Sequence, residues 1–79
     1  MDLVTLIGMV GATLILLAFF LNQIHKLSSD SMAYDVINFV GGLLLLIYAI
    51  LLSSIPFAVL NAVWTWVSLR DIIIGFMHK

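Results

Sequence analysis

The sequence predicts an all-α membrane protein, a bundle of three transmembrane helices forming one domain. Three observations predict it. Apolar runs at Leu3–Leu21, Ala33–Leu52 and Ile55–Met77 take up almost all of the 79 residues. Each is close to the roughly 20 residues that a helix needs to cross a hydrocarbon core of about 30 Å. Mean hydropathy is +1.29 and 65% of residues are hydrophobic, more apolar side chain than so small a protein could bury in water. The runs are continuous rather than alternating, which suits helices and not the strands of a barrel.

The first run opens on Met1-Asp2. It lacks the positive start of a cleavable leader and is longer than one, so it reads as a retained span. Thr5, Gly8, Ala12, Phe19 and Asn22 lie along one stripe, with Gly11 beside it. Gly8 and Ala12 form a small-xxx-small pair, a packing surface within the subunit or between two copies. The connector Asn22–Met32 is polar, and Ser29, Asp30 and Ser31 each offer an N-cap for the second helix.

The second run carries Asp35, Asn38, Gly41, Gly42 and Leu45 on one stripe. The two glycines read as helix-packing positions. Asn38 must find a partner or face water. In the turn Ser53-Ser54-Ile55-Pro56, Ser54 is placed as an N-cap. Pro56 sits where its missing N–H costs nothing.

The third run carries Asn61, Trp64, Thr65 and Ser68 at i, i+3, i+4 and i+7, with Asp71 extending the face and Trp66 opposite it. Thr65 and Ser68 read as interhelical hydrogen-bonding groups. Asn61 and Trp64 either line a cavity or pack against a neighbour. Asn38 and Asn61 fall in different halves of the span, which predicts two separate polar sites rather than a direct pair.

The chain has four Asp and no Glu, three Lys or Arg, a net charge of −1 and no Cys. There is no basic patch for nucleic acid and no disulfide or thiolate chemistry. No ionisable group lies near the middle of a span, which argues against a proton-driven exporter and against a rotor-ring proteolipid. Asp35 and Asp71 approach the end where Lys26 and Arg70 can neutralise them. His25 stands alone, without companions for a metal site. No nucleophile–base arrangement points to an enzyme, and no cofactor is expected. Lys26, Arg70 and Lys79 share one side of a three-span chain, so the positive-inside rule gives N-out, C-in.

The segment from Tyr48 through Pro56 to Asn61 resembles the SemiSWEET and PQ-loop transporters of the SWEET-like superfamily. Those small bacterial proteins share a Tyr-Gly-Ile-Leu run ending helix two, a short turn, a Pro opening helix three and an Asn about a turn further on. Tyr48, Pro56 and Asn61 match, with Ala49 in place of the Gly, and Gly41 matches a Gly two turns before the Tyr. Phe20-Leu21-Asn22-Gln23 is similar to the family's Phe-Leu-Pro-Gln. The nearest likeness is to the uncharacterised bacterial three-span proteins of that superfamily, in the Leu-Ser-Ser-Asp-Ser connector, in Asn38 with Gly41, and in Asn61 with Trp64. The family's helix-one Pro is Asn22 here, and its substrate-stacking Trp on helix two aligns with Leu45.

The resemblance implies a bundle with helix 3 packed between helices 1 and 2, paired as a parallel homodimer in the bacterial inner membrane. It implies facilitative, uncoupled transport of a small neutral solute, such as a sugar, by alternating access. Asn61, Trp64, Asn38 and Tyr48 would then be substrate contacts, and Asn22, Gln23 and Pro56 gating or hinge positions. The alternative is a non-transporting packing or assembly subunit of a larger membrane complex, which needs only the Gly and Asn stripes.

Overall fold

The computed structural model of the chain describes residues 2–29 and 31–77. They form three helices, α1 (Leu3–Gln23), α2 (Met32–Leu51) and α3 (Ile55–Met77). All three are long and apolar enough to span a membrane. At 1.5 Å per residue their lengths run from about 30 to about 35 Å, and the backbone measures 39 × 25 × 18 Å.

Burial is inverted relative to a water-soluble core. Among the described residues, those buried are Gly8, Gly11, Ala18, Asn38, Gly41, Gly42, Ala49, Asn61, Thr65 and Ser68. None is Leu, Ile, Val or Phe. The large apolar side chains point outward, Leu16, Leu60 and Trp66 among them. Lipid tails are as apolar as leucine, so nothing drives those side chains between helices. Small residues take the contacts instead, because they let backbones approach closely.

The helix order differs from the expected one. Helix 3 does not lie between helices 1 and 2: α2 is the central helix, contacting both α1 and α3, while the α1 and α3 backbones do not meet. The reason is that α2 carries two small-residue faces. A Cβ on Gly41 would stand 2.8 Å from Ile15 Cγ1 and 3.0 Å from the Gly11 carbonyl, both on α1. One on Gly42 would stand 2.8 Å from Thr65 Oγ1 on α3. The two glycines, expected on one stripe, therefore serve opposite neighbours, as the 100° step between successive helical residues allows. On α1 the close contacts are made by Gly8, packed on the Tyr48 ring, and by Gly11. Ala12, placed with Gly8 by the sequence pattern, is only half-buried.

Both connectors begin with the same device. Lys26 N–H donates to the Leu21 carbonyl (2.9 Å) and His25 N–H to the Asn22 carbonyl (3.1 Å). After α2, Ser54 N–H donates to Ala49 (2.9 Å) and Ser53 N–H to Ile50 (3.0 Å). This is the paired-bond Schellman ending, which places one residue in the left-handed region. That residue is His25 (φ 62°) in one turn and Ser53 (φ 56°) in the other, where glycine would be unstrained. Ser53→Gly is expected to stabilise the chain by about 1 kcal/mol, read as a higher midpoint in denaturant titration of the micelle-bound protein.

Asn22 and Gln23, expected in the connector, lie in the last turn of α1. The Asn22 amide donates to the Leu27 carbonyl at 3.0 Å and ties the turn to the helix end. Ser31 is the N-cap of α2, its Oγ accepting from Tyr34 N–H at 3.1 Å and donating to the Ser28 carbonyl at 2.7 Å. Asp30, another cap candidate, lies outside the described residues, as does Lys79. Ser54 opens α3, its carbonyl accepting from Ala58 N–H at 2.9 Å, with Pro56 in the first turn.

Asp2 caps α1, its Oδ1 accepting from Thr5 N–H at 2.8 Å. That backbone bond, aided by the Thr5 side chain, holds the Asp2 carboxyl below its usual 3.8. A carboxylate whose folded pKa is depressed stabilises the fold above the unfolded pKa and stops doing so as pH falls through the folded one. Amide-exchange protection of the first turn is therefore expected to be constant above pH 5 and to decline below 3.8, while Asp2→Asn gives a flat profile.

Candidate functional site

The buried polar residues among those described, Asn38, Asn61, Thr65 and Ser68, all lie on α2 and α3. Met32 against Gly75 and Gly42 against Thr65 define one antiparallel register. It sets Asn38 level with Ser68, and Leu45 near Asn61. The two asparagines are thus about two helical turns apart, or roughly 11 Å, on either side of the Gly42–Thr65 contact.

Each asparagine is buried, Asn38 at 4% exposure and Asn61 at 5%. Each amide donates at 2.9 Å to the carbonyl four residues back, Asn38 to Tyr34 and Asn61 to Phe57. The bond stays within one helix, which keeps the Nδ2 group satisfied in a low-dielectric setting and leaves the Oδ1 oxygens as acceptors. The asparagines do not pair with each other.

Two hollows flank this arrangement. The first, about 350 Å³ and open on one side, is lined by Ile15, Leu45, Leu60, Asn61 and Trp64. It exists because α1 and α3 stand apart on either side of α2. The second, about 260 Å³ and more enclosed, includes Tyr34, Asp35, Asn38, Trp64, Ser68 and Asp71 in its wall. Trp64 lines both and stands between them. Asn61 and Trp64 are thus brought together in one hollow, and Asn38 and Trp64 in the other. Tyr48 reaches neither; its ring packs on Gly8 between α1 and α2. Asn22 and Gln23 lie at the end of α1 and Pro56 at the start of α3, outside both linings.

Thr65 and Ser68 do not make the interhelical hydrogen bonds expected of them. The Thr65 hydroxyl has no partner among the described residues, because α2 presents it with Gly42, which has no side-chain acceptor. Thr65→Val keeps the shape and removes an unpaired hydroxyl, so it is expected to raise stability by about 1 kcal/mol, measured by the same denaturant titration. Ser68 faces the second hollow. The Thr13 hydroxyl on exposed α1 donates to the Met9 carbonyl at 2.7 Å, which suits a lipid-facing position. Arg70 pairs with Asp71 at 3.5 Å across an exposed edge, one of the two neutralising contacts anticipated for the carboxylates. Asp35 also lines the second hollow. Its gathering with Asn38, Ser68 and Asp71 was not anticipated; the signal was available in their i+3 spacings on two antiparallel helices.

The profile of one protein family matches residues 4–78, nearly the entire chain. The chain belongs to that family. Its members are uncharacterised, so membership assigns no activity. No curated protein and no solved structure matched the chain significantly. The match covers all three helices, so both hollows lie within the family's own span.

Proposed function

We propose that this protein is a facilitative carrier for a small neutral solute, a sugar being one candidate, working as a homodimer in the bacterial inner membrane. The observation that carries the reading is the placement of two buried asparagines in two hollows at different depths, with Trp64 bordering both. A carrier needs a polar contact reachable from each side and a barrier between them. Asn61 supplies the first contact, Asn38 the second, and Trp64 the barrier. A single chain leaves the Asn61 groove open toward its flank. A second copy supplies the missing wall, as two-fold pairing does in symmetric assemblies.

The proposed orientation is N-out, C-in. Lys26 in the first connector and Arg70 near the end of α3 lie at one end of the molecule, and the opposite turn is uncharged. On this reading the Asn61 groove faces outward and the Asn38 pocket faces the cytoplasm. The likeness of the Tyr48–Asn61 segment to SemiSWEET proteins supports transport, although the central position of α2 differs from the order that likeness implied.

Reconstitution into liposomes tests the proposal. Uptake of at least one member of a panel of neutral sugars and small polyols, above that of empty vesicles and independent of a proton gradient, is the expected result. Absence of flux for the whole panel overturns it.

A further inference from the structure

We infer that the Asn38 pocket is a binding site for a small organic ammonium ion, such as a protonated primary amine. The inference goes beyond the carrier reading and does not require any solute to cross the membrane.

The wall is rich in hydrogen-bond acceptors. Asn38 spends its amide N–H on the Tyr34 carbonyl at 2.9 Å, so only its oxygen remains for a ligand. Ser68 is 6% exposed, borders the pocket, and its hydroxyl makes no hydrogen bond among the described residues. The carboxylates of Asp35 and Asp71 stand in the same wall as Ser29, Tyr34, Trp64 and Val67 and can only accept when ionised, whereas the Ser29, Tyr34 and Ser68 hydroxyls can donate or accept. The two carboxylates make the wall acidic, which favours a cation bearing N–H donors and disfavours an anion. The Arg70–Asp71 contact, at 3.5 Å with Arg70 62% exposed, is a surface pair of little strength, and it leaves the second Asp71 oxygen available.

Size and the aromatic residues decide between an inorganic and an organic cation. Bare metal ions need several oxygens closing in at 2.0–2.6 Å. A hollow of about 260 Å³ is too roomy for that, and no metal-ligating group of three residues occurs among the described residues. Tyr34 and Trp64 line the same space. Aromatic faces attract ammonium groups, most strongly where water is scarce. Acceptors for the N–H groups beside aromatic surface for the carbon chain fit an alkylammonium ion.

The chain has two tryptophans. Trp66 is 64% exposed and apart from the pocket, so Trp66→Phe leaves Trp64 as the sole tryptophan reporter. In nanodiscs, where both faces are open, propylammonium chloride is expected to shift Trp64 fluorescence saturably. Propanol and sodium propionate, matched in size but neutral or anionic, are expected to act at least tenfold more weakly. Ser68→Ala and Asp71→Asn should each weaken the propylammonium response fivefold or more, with unchanged helical circular dichroism. Equal responses to the three probes overturn the inference, as does undiminished binding by the Ser68→Ala, Asp71→Asn double variant. If either substitution unfolds the chain, the three-probe comparison in Trp66→Phe alone decides. Loss of the carrier reading is seen separately, as absent flux of neutral solutes in liposomes with the ammonium titration intact.

Discussion

Gly11→Val is expected to lower the stability of the folded bundle by about 3 kcal/mol, the upper part of the range for overpacking a tight contact. A Cβ at Gly11 would stand 2.9 Å from the Gly41 carbonyl oxygen, 3.0 Å from Leu44 Cβ and 3.1 Å from Leu45 Cγ. The first of these is backbone and cannot turn aside, so α1 and α2 must separate along their length. Gly75 provides the contrast. A Cβ there meets only the end of the Met32 side chain, at 2.9 Å, and methionine repacks easily. Gly75→Ala should therefore gain up to about 1 kcal/mol from helix propensity. Denaturant titration in mixed micelles measures both. Equal and small effects at the two sites would show that α1 and α2 do not meet at Gly11 and Gly41.

On the carrier function proposed above, Asn61→Leu is expected to reduce flux tenfold or more while leaving the helices folded. The substitution keeps the bulk of the side chain and removes the one amide of the groove formed with Ile15, Leu45, Leu60 and Trp64. A solute donor left without its acceptor in the groove costs about 1–3 kcal/mol, and 1.4 kcal/mol is a factor of ten. Little stability is at stake, because the Phe57 carbonyl that accepts from the Asn61 amide also sits within the helical ladder. Initial rates in liposomes, for the best-transported member of the solute panel, give the comparison with Trp66→Phe as the unaffected control. Flux unchanged by Asn61→Leu removes that residue from the solute path.

Span number, span length and capping were legible in the sequence because they depend on local chemistry. Continuous apolar runs can only be helices in lipid, and Ser31, one of the three cap candidates Ser29, Asp30 and Ser31, caps α2. Helix order was not legible in the same way. Adjacent glycines at 41 and 42 look like one small patch in sequence, and only three-dimensional packing separates them onto two neighbours. The left-handed turns at His25 and Ser53 were hidden because neither is the glycine that usually marks such a position. Within the candidate site, the Asn61–Trp64 pairing followed from i+3 spacing. The grouping of Asn38 with Ser68 and Asp71 required the register between α2 and α3, which no single-helix pattern contains. Thr65 was misjudged because hydrogen-bonding capacity was visible in the sequence and the glycine opposite it was not.

The inverted burial of this bundle changes how its variants should be weighed. Insertion into lipid is driven by the large outward side chains, and any similarly apolar residue serves that purpose equally well. Recognition of one helix by another is left to atoms that are missing: the absent side chains of Gly8, Gly11, Gly41 and Gly42 create the shapes into which Tyr48, Ile15 and Thr65 fit. Leu-to-Ile or Val-to-Phe drift on the outer surface away from the Asn61 groove should therefore be nearly silent. A single added methyl group at the centre, barely visible on a hydropathy scale, should be disruptive. The chain's most specific instructions are written in its smallest residues.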